Sequence, residues 1–124
     1  VMEIELFEDA APNTVASFIY LVERGFYNLK TFFRVEEHSV AQCGCERSDG
    51  TSNAGYVIEG EMNRPNRRFN FRGSLVLITG INEQSKQPDL NSGSSQFWMM
   101  QMAQPAIDET MTTFGRITQG QHIL

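Results

Sequence analysis

Short apolar runs, each closed by a polar or glycine-bearing segment, constrain the fold of this chain more than any other feature. Residues 2–7 alternate, with Met2, Ile4 and Leu6 on one side and Glu3 and Glu5 on the other, as in a half-buried strand. Residues 31–36, 39–43, 56–58, 73–79, 96–102 and 112–117 are predicted strands, the second of these less regular than the first. A helical rhythm begins at Pro12, well placed for a first turn; Val15, Phe18, Ile19 and Val22 recur at helical spacing, and Gly25 ends the helix. Polar loops at 48–55 and 80–94, the second with Pro88 and Gly93, separate the strands. Many short strands, two polar loops and at least one helix predict a mainly β domain, a barrel capped by helices.

At 124 residues the chain is one domain, large enough to bury most of its apolar surface. Its 40% hydrophobic and 20% charged residues are ordinary for a globular protein. A net charge of −5 argues against non-specific nucleic-acid binding, which needs a clustered positive surface. One basic knot, Arg64, Arg67, Arg68 and Arg72, is interrupted by Pro65, Asn66, Phe69 and Asn70. It reads as a solvated loop, with a substrate or partner contact as the other reading. No apolar run approaches membrane-spanning length. Cys43 and Cys45 are too close in sequence to bridge without strain, and two thiolates cannot complete a zinc site. Both are expected as free thiols. His38 and His122 show no metal-ligand spacing, so neither a metal nor a cofactor is expected.

Four patches carry a sharper signal: Phe32-Phe33-Arg34-Val35; Gln42, eight positions after Arg34; Ser95-Gln96-Phe97-Trp98; and Thr113-Phe114-Gly115-Arg116. In this order they resemble the signature of the cyclophilin-type peptidyl-prolyl isomerases: an F-H-R-V/I strand, a Q-G-x-D strand, an N-x-x-S-Q-F-F strand and a late F-G-K/R-V strand. Glu3-Ile4-Glu5-Leu6-Phe7, Ala11-Pro12-Asn13-Thr14-Val15, Phe18-Ile19 and Gly25-Phe26-Tyr27 look like the family's first strand and helix. The resemblance spans the whole sequence and implies a closed eight-stranded barrel with a helix at each end. After Gly120-Gln121-His122-Ile123-Leu124 the family continues through a helix and a closing strand. The barrel is therefore expected to be incomplete at its C-terminus, in a single cyclophilin-like domain, residues 1–124, clipped at both ends.

The same resemblance implies that Arg34 and Gln42 are catalytic and that Ser39, Val40, Thr79, Gln96, Trp98, Ile107 and Met111 bind substrate. The glutamines would hold a peptide backbone and the aromatic would form the proline pocket. Strand alternation agrees independently: Gln96 and Trp98 share a face opposite Ser95, Phe97 and Met99, and Val40 and Gln42 share a face.

Several positions depart from the family pattern. Trp98 replaces the usual Phe, Ser39 the pocket aromatic, Val40 a Met, Thr79 the groove asparagine and Met111 the late His; Ile78 replaces a small residue. Ala106 stands where members that bind cyclosporin-type inhibitors resemble one another in a Trp. Gly50-Thr51-Ser52-Asn53-Ala54-Gly55-Tyr56 resembles the family's G-T-G-G-x-G-Y turn with two glycines lost; Asn53 can stand in at positive φ better than Ser52. A pocket shallower on one side is expected, with activity reduced or substrate preference shifted.

The activity implied is rotation about X-Pro bonds in flexible protein segments by a monomer that binds neither nucleic acid nor membrane. The alternative is a catalytically weakened module of the same shape that binds Pro-containing segments. Arg34, Gln42 and Gln96 favour the enzyme; Ser39, Thr79 and Met111 favour the binder.

Overall fold

The computed structural model describes residues 1–47 and 49–124; Ser48, the first residue of the expected loop at 48–55, lies outside them. Its strands are β1 (Glu3–Leu6), β2 (Arg34–Glu36), β3 (Val40–Cys43), β4 (Ser74–Leu77), β5 (Gly80–Ile81), β6 (Pro88–Asp89), β7 (Phe97–Met100) and β8 (Thr112–Gln119). The α-helix α1 (Pro12–Glu23) follows β1, and 3-10 turns span Pro105–Ile107 and Gln121–Ile123. Six strands form one antiparallel sheet in the order β1-β8-β4-β7-β3-β2, while β5 and β6 make a separate two-stranded hairpin.

An eight-stranded barrel capped by helices, incomplete at its C-terminus, was expected. Six of the eight described strands share the main sheet, which is not closed: β1 and β2 are its outer strands and do not pair with each other. Among the described residues α1 is the single α-helix, and the chain end carries a 3-10 turn in place of a second one. The expected strand at 56–58 reduces to an isolated bridge between Ile58 and Gly93. The expected strand at 31–36 begins only at Arg34. The polar loop at 80–94 contains the β5-β6 hairpin, its tip closed by the Asn82 carboxamide, which accepts from the Gln84 and Ser85 backbone.

Alternation gives the sheet two apolar faces. Ala41, Cys43, Leu75, Leu77, Phe97 and Met99 turn to one side and bury against α1 through Val15 and Phe18. Each fully buried side chain of this size contributes about 1.5–3 kcal/mol. The Phe18 ring packs with centroids 5.2–5.6 Å from those of Tyr27, Phe97 and Phe114, tilted on the first and last and edge-on to Phe97. Ile19 and Val22 are exposed and Leu21 is buried instead, so the inward stripe is rotated from the one the spacing suggests. The opposite face carries Val40, Val76 and Met100, also buried, with Trp98, Ile107 and Met111 packed on them.

Two devices fix the loops. Glu61, 3% exposed, accepts from the Asn13 and Thr14 backbone N–H groups at 3.3 and 2.7 Å and from the Thr14 hydroxyl. A residue 47 positions away thus satisfies the orphan donors at the start of α1. Gly44, at φ +96°, lies where a Cβ would fall 2.2 Å from the Ser95 carbonyl, so only glycine lets β3 and β7 converge there.

Candidate active site

The site grows from one cross-strand row. Antiparallel pairing sets Arg34 opposite Gln42, Gln42 opposite Trp98, and Trp98 opposite Val76. Residues directly opposite lie close enough for their side chains to meet. Gln42 Oε1 accepts from Trp98 Nε1 at 3.0 Å and from Arg34 Nη1 at 3.5 Å. Gln42 Nε2 donates to Gln96 Oε1 at 2.8 Å, and Gln96 Nε2 donates to the carbonyls of Gly50 and Ser52 at 3.1 and 2.9 Å. Arg34, Gln42, Gln96 and Trp98 therefore form one hydrogen-bonded chain. Arg34 stays half-exposed and pairs with Glu36, two residues on and on the same side of β2.

An apolar patch adjoins the row. Val40, Trp98, Ile107 and Met111 meet over Val76 and Met100. The segment from Gln104 to Asp108, which carries Ile107, is clamped from below by Asn70: Asn70 Nδ2 donates to the Gln104 carbonyl and Asp108 Oδ1, and Gln104 N donates back to Asn70 Oδ1. Ser39 and Thr79 border this patch through other bonds. The Ser39 hydroxyl accepts from Gln104 Nε2 at 2.9 Å, and Thr79 Oγ1 donates to the Thr110 carbonyl at 2.8 Å, one residue before Met111.

Gln104, Glu36, Val76 and Met100 escaped the sequence reading. Glu36 was within reach of the alternation rule, since i and i+2 share a strand face. Gln104 was not, because its tie to Ser39 spans 65 residues. The lost glycines of the 50–56 turn have a local answer: Gly50 and Gly55 are at φ +84° and +89°, whereas Ser52 and Asn53 are not at positive φ. Ser52 instead offers its carbonyl to Gln96 and its hydroxyl to the Cys45 thiol at 3.1 Å.

Both cysteines are buried free thiols, as expected. Burial pushes the Cys45 thiol up, but hydrogen bonds from the Ser52 hydroxyl and the neighbouring backbone outweigh it and bring the pKa to about 7. The Gly50 N–H, 3.2 Å from Cys45 Sγ, ties that sulfur to the loop that receives Gln96. Among the described residues no group of three or more His, Cys, Asp or Glu side chains could hold a metal ion. No described helix is long and apolar enough to cross a membrane.

The family model for cyclophilin type peptidyl-prolyl cis-trans isomerases matches residues 1–124. Peptidyl-prolyl cis-trans isomerase B of Bacillus subtilis is 35% identical over 119 residues, covering 96% of this chain and 77% of that protein. A peptidyl-prolyl cis-trans isomerase of Synechococcus elongatus is 35% identical over 115 residues, covering 93% and 72%. Among solved structures, a Cryptosporidium parvum cyclophilin type peptidyl-prolyl cis-trans isomerase, crystallised in the presence of the dipeptide Ala-Pro, superposes with a TM-score of 0.82. It shares 24% identity over 96% of this chain and 73% of its own.

Proposed function

We infer that the chain is a prolyl isomerase, from the premise that it belongs to the cyclophilin-type peptidyl-prolyl cis-trans isomerase family. Its substrates are X-Pro bonds in peptides and flexible protein segments. The Ala-Pro dipeptide used with the structural neighbour supports a Pro-containing ligand. The single observation that carries this reading is the chain Arg34–Gln42–Trp98 with Gln96 alongside, set beside an apolar patch.

Rotation about an X-Pro bond must break amide resonance, across a barrier of roughly 18–20 kcal/mol. In the twisted state the proline nitrogen regains its lone pair. A donor aimed at that nitrogen stabilises the twisted form above the planar one, which is what catalysis requires. Arg34 fits this role: its guanidinium is always charged, presents a rigid fork and has side-chain surface open to solvent. One charge-assisted hydrogen bond supplies roughly 1.5–3 kcal/mol, about one to two powers of ten in rate. Trp98, Val40, Ile107 and Met111 are suited to gripping the pyrrolidine ring. Gln42 and Gln96 are suited to the flanking backbone once they release each other. We read Ser39 and Thr79 as rim residues and the chain as working as a monomer. No nucleophile, metal or cofactor is called on.

A protease-coupled or NMR-exchange isomerisation assay on Ala-Pro peptides tests the proposal. Catalysis by the wild type, lowered at least about tenfold in a folded Arg34→Ala variant, is expected. Saturable peptide binding without any catalysis would leave a binding module.

A further inference from the structure

Away from the groove, Arg67, Arg68, Arg72 and Arg116 line an open cavity of about 380 Å³. They are four of the ten Lys and Arg residues of a chain whose net charge is −5. The cavity is also apolar: Phe7 and Ile117 contribute buried surface, while Phe69 and Phe71 are 51% and 65% exposed. None of these residues belongs to the row or the patch of the groove.

Two guanidiniums sit over aromatic rings. Arg67 Cζ lies 5.0 Å from the Phe69 ring centroid and Arg68 Cζ 4.7 Å from that of Phe7. Contacts of this kind order the planar fork. Arg67 Nη1 already donates to the Met62 and Asp108 carbonyls at 3.0 and 3.1 Å, which leaves Arg68 the less engaged of the two. Exposed carboxylates attend three of the four: Glu109 at 2.9 Å from Arg67, Asp9 at 3.7 Å from Arg68, and Glu5 at 2.7 Å from Arg116. Arg72 donates to the Gln101 carbonyl at 3.0 Å and pairs with no carboxylate among the described residues. The Arg68 and Arg116 pairs, exposed on both partners, are weak and exchange readily.

We propose that this cavity is a docking site for an acidic, extended polypeptide segment in which a carboxylate neighbours an aromatic or aliphatic side chain. The apolar side chain covers Phe69 and Phe71, two exposed aromatics that neighbour each other across Asn70. The carboxylate meets Arg72 first, and a second one displaces a surface carboxylate from Arg68 or Arg116. A regular phosphate backbone fits poorly, because Glu5, Asp9 and Glu109 interleave the cations and repel a continuous row of negative charge. The site would hold a client or partner by a second segment, and it does not depend on isomerisation.

A fluorescent, proline-free peptide alternating Asp or Glu with Phe or Leu is the probe, titrated by anisotropy against the whole chain. Saturable binding is expected, weakened at least about tenfold by Arg72→Glu and by Phe71→Ser, since a close interfacial charge pair commonly carries that much. Arg72→Glu should leave isomerase turnover unchanged, which also reports that the variant is folded. Arg34→Ala should leave peptide binding unchanged. The proposal is overturned by equal affinity for the Asn/Gln counterpart peptide, by indifference to both substitutions, by loss of binding in Arg34→Ala, or by tighter binding of single-stranded oligonucleotide than of the peptide.

Discussion

The indole N–H of Trp98 donates to Gln42 Oε1 at 3.0 Å, and that bond sets the direction of both groove amides. Indole nitrogen is a donor only, so the atom facing it must be oxygen. Gln42 Nε2 must then face Gln96, whose Oε1 accepts, and Gln96 Nε2 turns to two carbonyls that can only accept. The chain is pinned at both ends, and neither glutamine can flip without the other.

Trp98→Phe removes the donor at one end. Gln42 Oε1 keeps Arg34, so the cost is that of one net hydrogen bond, about 0.5–1.5 kcal/mol. Urea unfolding should show a lower midpoint with an unchanged slope. Turnover should persist, because a Phe face still covers a pyrrolidine ring. Loss of all turnover would assign the indole N–H itself to catalysis.

Arg34→Ala should lower kcat/KM at least about tenfold, one charged hydrogen bond's worth. Arg34→Lys should also be poor, since a point charge on a flexible stem cannot reproduce the fork that bonds Gln42 and Glu36 together. Unchanged kcat/KM in either folded variant would remove Arg34 from the mechanism.

Arg34, Gln42, Gln96 and Trp98, which the structure brings together, could be singled out in the sequence because the family motifs and strand alternation are local properties. β1, α1, β3, β4, β7 and β8 were legible for the same reason, within a residue or two at most ends. What escaped depends on contacts across the chain. The rotated inward stripe of α1 is decided by which residues find Phe97 and Phe114, not by helical spacing. The run at 56–58 has strand-like residues but meets a partner only at Ile58, so no ladder forms. Gln104 reads as an unremarkable loop polar residue until Ser39 is brought beside it.

That contact makes the Ser39 test a two-residue one. Gln104 Nε2 donates to the Ser39 hydroxyl, at the position where the family pattern carries an aromatic. Ser39→Phe should raise kcat/KM by adding apolar surface, worth up to about one to two powers of ten. The gain should be larger with Gln104→Ala, which makes room. A double-mutant cycle reads the coupling, and strict additivity would show that the two side chains act independently.

Cyclosporin-type inhibitors should bind weakly, because Ala106 is exposed on the Pro105–Ile107 turn and offers neither an indole face nor an N–H. Ala106→Trp should tighten inhibition about tenfold or more through restored aromatic contact. Strong inhibition of the unaltered chain would contradict this.

Cys45 adds a pH dependence to stability. Its folded pKa of about 7 lies below the ordinary thiol value of 9.0. A depressed pKa adds stability that is fully present above the unfolded value and fades as pH falls through the folded one. The Tm difference between wild type and Cys45→Ala should therefore grow in favour of the wild type from pH 7 to pH 9. A constant difference would mean that the thiol does not ionise in the folded state.

In this 124-residue chain the outer position of β2 gives Arg34 a second task. β2 is an outer strand, all three of its residues are exposed, and Val35 presents an apolar side chain beside Phe32, also exposed. Charged residues on such a margin keep a second copy from adding its own strand there. Arg34 and Glu36 are the charges present on β2, so neutralising Arg34 removes a guard against self-association together with the proposed catalytic donor. Turnover of Arg34 variants should accordingly be normalised to the monomer fraction measured by light scattering, and Glu36→Val should aggregate more readily than Glu36→Lys.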